Sequence, residues 1–256
     1  MKIDFQDKVV LITGGCSGAG EAIVKQFAAA GCKLAVTYNF SLPDKLLSLY
    51  PENSVKAYKY DQANVKEAES LISAVIKDFS RLDVLVNNAG IYPAELIDEI
   101  TEEDFDNMFG INTKGVFFLS REAAKRMKNN PSGGAIINIS SINAANPAQR
   151  LIHYGMSKAA IEMETRCLAY EYGPDIRVNC IAPGLIYKEG QEKFIPGWTE
   201  SYCERAALHR LVKPEEIGNT AVFLSSDLAS AITGQIITVD CGVSLAPYFD
   251  NSGVAE

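Results

Sequence analysis

Two residues in the stretch IHYGMSKAAIEMETRCLAYEY set the first chemical question: Tyr154 and Lys158 stand four positions apart. On a helix that spacing is about one turn, so a phenol and an ammonium share one face. A free tyrosine has a pKa near ~10, too weak an acid to give up and recover a proton easily near neutrality. A neighbouring cation stabilises the phenolate and moves the phenol toward useful acid–base strength. Such a group suits the reduction of a carbonyl, where hydride reaches carbon while a proton is delivered to oxygen. On spacing alone the pair is equally a surface i,i+4 contact, so its neighbours have to decide.

A second constellation lies near the N-terminus. The apolar run VVLIT is followed by Gly14-Gly15-Cys16-Ser17-Gly18-Ala19-Gly20 and then by the helical AIVKQFAAAG. Glycines permit a tight turn and let main-chain N–H groups approach a pyrophosphate at a helix N-terminus. A strand before and a helix after give such a turn the context of a dinucleotide site; a glycine-rich turn without a ligand is the alternative. Rival chemistries find little support. His153 and His209 are the two histidines, and no Gly-x-Ser-x-Gly elbow accompanies them. His153 is expected to line the pocket or face solvent. Six cysteines lie far apart without a Cys-x-x-Cys pair, which fits reduced thiols better than a disulfide framework, and no metal site is expected. Cys16 stands where a helix N-terminus can lower a thiol pKa, but it reads more simply as a small filler of the turn.

The elements that must position these residues alternate along the chain. Short β-rich runs occur at Lys8–Thr13, Lys33–Tyr38, Val55–Tyr60, Leu82–Asn87, Ala135–Ser140, Ile176–Ile181 and Gln235–Val239. Between them lie helix-like stretches at Gly18–Ala30, Asn64–Phe79, Glu103–Lys128, Ile152–Tyr172 and Pro214–Ser226. Runs such as VVLIT and LDVLVN are continuously apolar, as strands buried on both faces should be. Seven strands alternating with helices predict an α/β fold, a doubly wound parallel sheet with right-handed crossovers. Ligands in such sheets bind beyond the carboxyl ends of the strands, at the switch point.

At 256 residues, with no repeat or long linker, the chain is expected to form one domain over residues 1–256. It is 47% hydrophobic and 22% charged, an ordinary globular balance. A net charge of −8 argues against nucleic acid as a partner. No apolar run reaches the roughly 18 residues of a membrane span, and no leader pattern opens the chain, so a cytoplasmic location without membrane association is expected.

The fingerprint Thr-Gly-x-x-x-Gly-x-Gly, with glycines at 14, 18 and 20, resembles that of the short-chain dehydrogenase/reductase family. So do Asn87-Asn88-Ala89-Gly90, Asp61, Tyr154-x-x-x-Lys158, Pro183-Gly184 and ITGQIITVD, in the family's order over residues 8 to about 244. The resemblance implies a Rossmann-type sheet of order 3-2-1-4-5-6-7 and a nicotinamide cofactor. It implies a catalytic set of Asn112, Ser141, Tyr154 and Lys158. Ser141, thirteen residues before Tyr154, would bond the substrate oxygen, and the adjacent Ser140 lacks the family spacing. Asn112 would link Lys158 to solvent through a water; a mid-helix asparagine bending its own helix is the plainer reading. Cofactor contacts would come from Gly14, Ser17, Gly18, Ala19 and Gly20. Further contacts would come from Asp61 and Gln62 near the adenine, from Asn88, Ala89 and Gly90, and from Pro183, Gly184 and Ile186. Tyr154 and Lys158 would join them, the lysine gripping the nicotinamide ribose.

The end of the second strand bears on the choice of cofactor. The acidic position that would bind ribose hydroxyls of NAD falls on Tyr38, and the usual arginine position on Asn39. Loss of a carboxylate removes repulsion against a 2′-phosphate, to which Asn39 and Ser41 can donate. Ser17, often basic in NADP-dependent relatives, points the other way. NADP(H) is favoured, with NAD(H) compatible. Two departures from the family stand out. Lys188 replaces a threonine expected to bond the cofactor, and Cys241 replaces the first glycine after the last strand. Residues 187–210 would form a substrate lid, made aromatic by Tyr187, Phe194, Trp198 and Tyr202. Asn143, Asn146, Gln149 and Arg150 make the loop before Tyr154 polar, which favours a small-molecule carbonyl or alcohol that is itself polar, such as a polyol or sugar ketone. A 3-oxoacyl-carrier-protein reductase is the rival enzyme, and a cofactor-binding scaffold or redox sensor the rival outside enzymes. Family habit and the apolar faces of the long helices imply a homotetramer.

Overall fold

The continuous apolar runs become the buried strands of one parallel sheet. The computed structural model describes residues 3, 5–40, 43–51, 54–190 and 197–245. Strands β1 (Val9–Ile12), β2 (Lys33–Tyr38), β3 (Val55–Lys59), β4 (Val84–Asn87), β5 (Gly134–Ile139), β6 (Ile176–Pro183) and β7 (Ile236–Val239) lie in the order β3-β2-β1-β4-β5-β6-β7. Every neighbouring pair is parallel, with Leu11 opposite Ala35 on one side and Leu85 on the other. Val9–Ile12 is buried throughout, as a central strand covered on both faces must be.

Helices α1 (Gly18–Ala29), α2 (Asp44–Leu47), α3 (Ala68–Phe79), α4 (Glu102–Phe109), α5 (Val116–Met127), α6 (Ile152–Tyr172), α7 (Trp198–Arg205) and α8 (Pro214–Ser225) complete the two outer layers. Side chains alternate along each strand, so Val10 and Ile12 meet Ile23, Phe27 and Ile217 on one face. Val9 and Leu11 meet Leu71, Val75 and Leu119 on the other. The chain leaves β1 toward β2 and returns to β4 on the opposite side, which opens a crevice at the carboxyl ends of β1 and β4. Beneath that end a buried polar net ties sheet to helices. Asn87 Nδ2 donates to Asn138 Oδ1 (2.8 Å) and Ser120 Oγ (2.9 Å), and Asn138 Nδ2 donates to Thr165 Oγ1 (2.9 Å).

The structure corrects several boundaries. The helix expected over Glu103–Lys128 is α4, a π-helical turn at Gly110–Gly115, and α5. Widened turns of this kind admit a side chain or a close neighbour, and here Gly115 packs so tightly on Gln62 that a Cβ would lie 2.1 Å from the Gln62 carbonyl oxygen. The stretch from Asn64 opens with a 3₁₀ turn at Val65–Glu67 before α3. The stretch 187–210, expected to form a lid, includes α7 and adjoins a bridge between Ile186 and Val212. Phe194 and Ser41 lie outside the described residues. Among those described, no helix is long and apolar enough to cross a membrane.

Candidate active site

The turn after β1 is built from two loops locked together. Gly14 adopts φ of +63°, a left-handed conformation that glycine adopts freely. Gly20 leaves no room for a side chain, since a Cβ would sit 2.1 Å from the Gly14 carbonyl oxygen. Asn88 Nδ2 donates to the carbonyls of Thr13 (2.9 Å) and Gly14 (3.3 Å). Thr13 Oγ1 in turn accepts the main-chain N–H groups of Asn88 (3.0 Å) and Ala89 (2.9 Å), and Thr37 Oγ1 accepts that of Gly14 (3.1 Å). Thr13 and Thr37 therefore set the turn's shape, a role that the sequence reading did not assign. Ser17 begins α1 without a side-chain cap, so the first-turn N–H groups of Gly18, Ala19 and Gly20 keep the free donors that a diphosphate needs.

At the neighbouring strand ends Tyr38 is half-buried and Asn39 exposed. Asn39 and Asp61 line one depression beside Tyr60, whose buried hydroxyl has no hydrogen-bond partner among the described residues. Gln62 turns inward: its Nε2 donates to the carbonyls of Ala89 (3.1 Å) and Ile111 (2.8 Å), so its amide nitrogen is committed to the protein. Its Oε1 is buried without a partner among the described residues.

The four expected catalytic residues converge. Lys158 is 6% exposed, and its Nζ donates to the Ile139 carbonyl (2.8 Å) from 5.7 Å off the centre of the Tyr154 ring. Burial pulls the ammonium pKa down to about 8. The Tyr154 phenol is held above its ordinary value: burial raises it first and Tyr92 adds a smaller upward push, while the nearby Ser141 hydroxyl acts to lower it. Ser141 Oγ accepts the Asn143 N–H (3.1 Å) and donates to Asn143 Oδ1 (3.2 Å). Ser140 instead donates to the Lys158 carbonyl and to Glu162, a packing role. Tyr92, not singled out from sequence, meets the Tyr154 ring edge-on at 6.3 Å.

Asn112 sits in the π-helical turn. Its Oδ1 accepts the Ile91 N–H (2.9 Å) and its Nδ2 donates to the Ile91 carbonyl (2.8 Å) and Ser157 Oγ (3.2 Å). The bonds to Ile91 cross to another loop and the bond to Ser157 crosses to α6, while Asn112 itself lies in the distorted turn of its own helix. A Cβ on Gly90 would lie 3.0 Å from Asn112 Oδ1 and 3.5 Å from Lys158 Nζ, so these three residues face one small space. Two ammonium hydrogens left over from the Ile139 contact suit the hydroxyls of a ribose. With the open glycine turn, these donors fit a nicotinamide dinucleotide.

Opposite lies the loop after β6. Tyr202, on α7, accepts the Leu185 N–H (3.0 Å) and donates to the Asp240 carbonyl (3.1 Å). Its hydroxyl lies against Gly184, where a Cβ would be 2.1 Å away. Pro183 ends β6, Ile186 pairs with Val212, and Lys188 is exposed. Cys241 holds φ of +56°, the conformation its expected glycine would adopt without strain. The Cys16 thiol is raised, by burial first and by Glu21, so its place at the helix terminus does not lower it. Asn143 and Asn146 bond within their own turn, whereas Gln149 and Arg150 are exposed. His153, expected at the pocket lining or surface, is fully buried.

A family model described as enoyl-(acyl carrier protein) reductase matches residues 14–244. The chain is 38% identical to an uncharacterized oxidoreductase of Thermotoga maritima, across 94% of this chain and 98% of the relative. It is 35% identical to that organism's 3-oxoacyl-[acyl-carrier-protein] reductase, across 93% and 98%. A solved short-chain dehydrogenase/reductase of Brucella melitensis, described as glucose/ribitol dehydrogenase, superposes with a TM-score of 0.89 at 31% identity, covering 95% of this chain and 99% of that one.

Proposed function

The chain belongs to the short-chain dehydrogenase/reductase family of NAD(P)-dependent enzymes acting on CH–OH groups, and we propose that it interconverts a ketone and a secondary alcohol with Tyr154 as general acid/base. The observation that carries this reading is the buried Lys158 ammonium, 5.7 Å from the Tyr154 ring, with the Ser141 hydroxyl beside the same phenol. The bound cofactor supplies or accepts the hydride. Ser141 holds the carbonyl oxygen, and Tyr154 delivers the proton to that oxygen or removes it from the alcohol. Lys158 stabilises the phenolate and grips ribose hydroxyls, and Asn112 holds the loop at Ile91 while leading a water toward Lys158. The glycine turn at Gly14, Gly18 and Gly20 receives the diphosphate. Asp61 and Asn39 border the adenosine end, and Gly90, Gly184 and Ile186 border the nicotinamide end.

NADP(H) is the preferred cofactor in this reading, because neither Tyr38 nor Asn39 places a carboxylate where a 2′-phosphate would lie. The substrate is a polar carbonyl such as a polyol or sugar ketone, supported by the exposed Gln149 and Arg150 before α6. The 35% identity to a 3-oxoacyl-[acyl-carrier-protein] reductase supports a second reading, an acyl thioester ketone. One domain carries both sites, with residues 187–210 as its lid. The enzyme works in the cytoplasm as a homotetramer, a reading supported by the exposed Phe117, Met163 and Tyr170 on α5 and α6.

The test is loss of nicotinamide absorbance with NADPH or NADH across sugar ketones, simple polar ketones and an acetoacetyl thioester. Turnover by the wild type that Tyr154→Phe lacks supports the assignment. A wild type that binds cofactor and reduces none of them overturns it.

A further inference from the structure

The helix that carries Tyr154 starts without a cap of its own. Leu151 stands at the N-cap of α6 and offers no side-chain hydrogen bond, so the first turn, Ile152–Gly155, lacks the usual anchor. An uncapped first turn frays unless something else holds it. Glu95, in the loop after β4, reaches it twice. Its main-chain N–H donates to the Arg150 carbonyl (2.9 Å), and its Oε2 lies 3.0 Å from Nε2 of His153, the residue before Tyr154. That contact is close but not aligned as a hydrogen bond, and neither imidazole nitrogen nor Glu95 Oε2 has a hydrogen-bond partner among the described residues. Arg150 is held at φ of +66°, a conformation that a non-glycine residue keeps only when its surroundings impose it.

The same loop forms the wall facing the phenol. Ile91 is pinned by Asn112 at both main-chain groups, and Tyr92 meets the Tyr154 ring edge-on. The second acid near the imidazole, Asp104 at the start of α4, is engaged in a capping box with Thr101. Glu95 therefore remains as the carboxylate that contacts His153.

We infer that Glu95 and His153 form a positioning clamp, which replaces the missing cap of α6 and fixes the direction of the Tyr154 phenol against Tyr92. The inference rests on the reading of Tyr154 as the acid/base group. Neither residue touches the reacting atoms; both act through the helix turn and the loop. A small misplacement of a reacting group costs turnover much more than binding.

The test compares Glu95→Ala, Glu95→Gln, His153→Ala and the double alanine variant. Each is measured for kcat, KM, cofactor Kd and Tm, beside a titration of the phenol by its ultraviolet absorbance with Tyr154→Phe as blank. The clamp requires a fall in kcat of about 10- to 100-fold in Glu95→Ala at unchanged cofactor Kd. It also requires near-complete retention in Glu95→Gln, whose amide oxygen can take the same place against the imidazole, and a double variant no worse than the single ones. Wild-type kcat in Glu95→Ala, a lowered Tm as its only change, or additive losses would overturn it. Should His153→Ala not fold, the two variants of the partly exposed Glu95 decide the matter alone. A wild type without carbonyl turnover would remove the functional reading instead. The clamp is then judged by the Tyr154 titration midpoint, which shifts in Glu95→Ala if the clamp exists and stays put if it does not.

Discussion

The Lys158 ammonium donates to the Ile139 carbonyl at 2.8 Å, committing one of its three hydrogens to the last residue of β5. The group is charged at neutrality but only just, because burial brings its pKa down to about 8. In carbonyl reduction kcat/KM should therefore fall as pH rises through about 8, since that quantity reports the free enzyme. Stability runs the other way. A lysine with a folded pKa below its unfolded value of ~10.4 carries a cost at neutral pH that is relieved between those two values. Lys158→Met should thus hold or raise the Tm at pH 7 while weakening cofactor binding and turnover together. Unchanged cofactor affinity would show that the ammonium serves only the phenol.

Tyr154→Phe removes the hydroxyl and keeps the ring that packs against Tyr92. Turnover should drop by on the order of 10²–10⁴, with cofactor Kd preserved, the usual contribution of a positioned acid–base group. Steady-state kinetics beside a fluorescence titration of the cofactor separates the two. Full activity in a folded variant would falsify the role given to Tyr154.

Tyr38→Asp places a carboxylate at the half-buried end of β2. Preference should shift toward NADH, because the new charge repels a 2′-phosphate and accepts ribose hydroxyls. Paired NADPH and NADH titrations read the ratio directly. An unmoved ratio would relocate the discriminating residue along the chain.

Glu164 supplies a second pH signature. Burial alone pushes its carboxyl up to about 8, and its Oε1 finds no partner among the described residues. A raised carboxyl leaves stability untouched below the unfolded pKa and lowers it as pH rises toward the folded one. Thermal unfolding should show Tm declining between about pH 4.5 and 8, and Glu164→Gln should flatten that slope. A variant that tracks the wild type at every pH would place the slope elsewhere.

Light scattering at micromolar protein should give a mass near four chains. Leu168 is covered within its own chain, whereas Met163 is 57% exposed and Tyr170 88% exposed on the same helix. A monomeric mass with full activity would leave those side chains in water and end the tetramer reading.

Much of this arrangement was legible in the sequence because it rests on period and punctuation. Val9–Ile12 reads as a buried strand since all of its positions are apolar, and Gly14 and Gly20 mark a turn, the first by its left-handed backbone and the second by crowding that forbids a side chain. The strand order and the meeting of Ser141, Tyr154 and Lys158 came through family resemblance rather than through periodicity. The rest depended on distance in space. Nothing near Asn112 signals that its amide will be spent on Ile91, or that Gly115 must press on Gln62, contacts that both fall within the π-helical turn. The burial of His153 was not legible, because an isolated histidine gives no sign of the acid, Glu95, that a separate loop will bring to it. Thr13 was visible within the fingerprint, but its hydroxyl's two acceptor contacts exist only once β4 lies beside β1.

The packing of α1 against α8 bears on how the chain comes to be folded at all. A Cβ on Gly218 would lie 2.6 Å from Gln26 Cγ, so the two helices touch almost without gap although they lie near opposite ends of the sequence. Val24 and Phe27 share one core with Ile217 and Ala221, and that surface stays bare until α8 has been made. Because chains emerge N-terminus first, the nascent protein carries an unfinished apolar flank through most of its synthesis. The nucleotide-binding half, first to leave the ribosome, is therefore among the last to be sealed. Fragments ending before Pro214 should be sticky and sensitive to proteolysis, while the complete chain closes that flank with its own late segment.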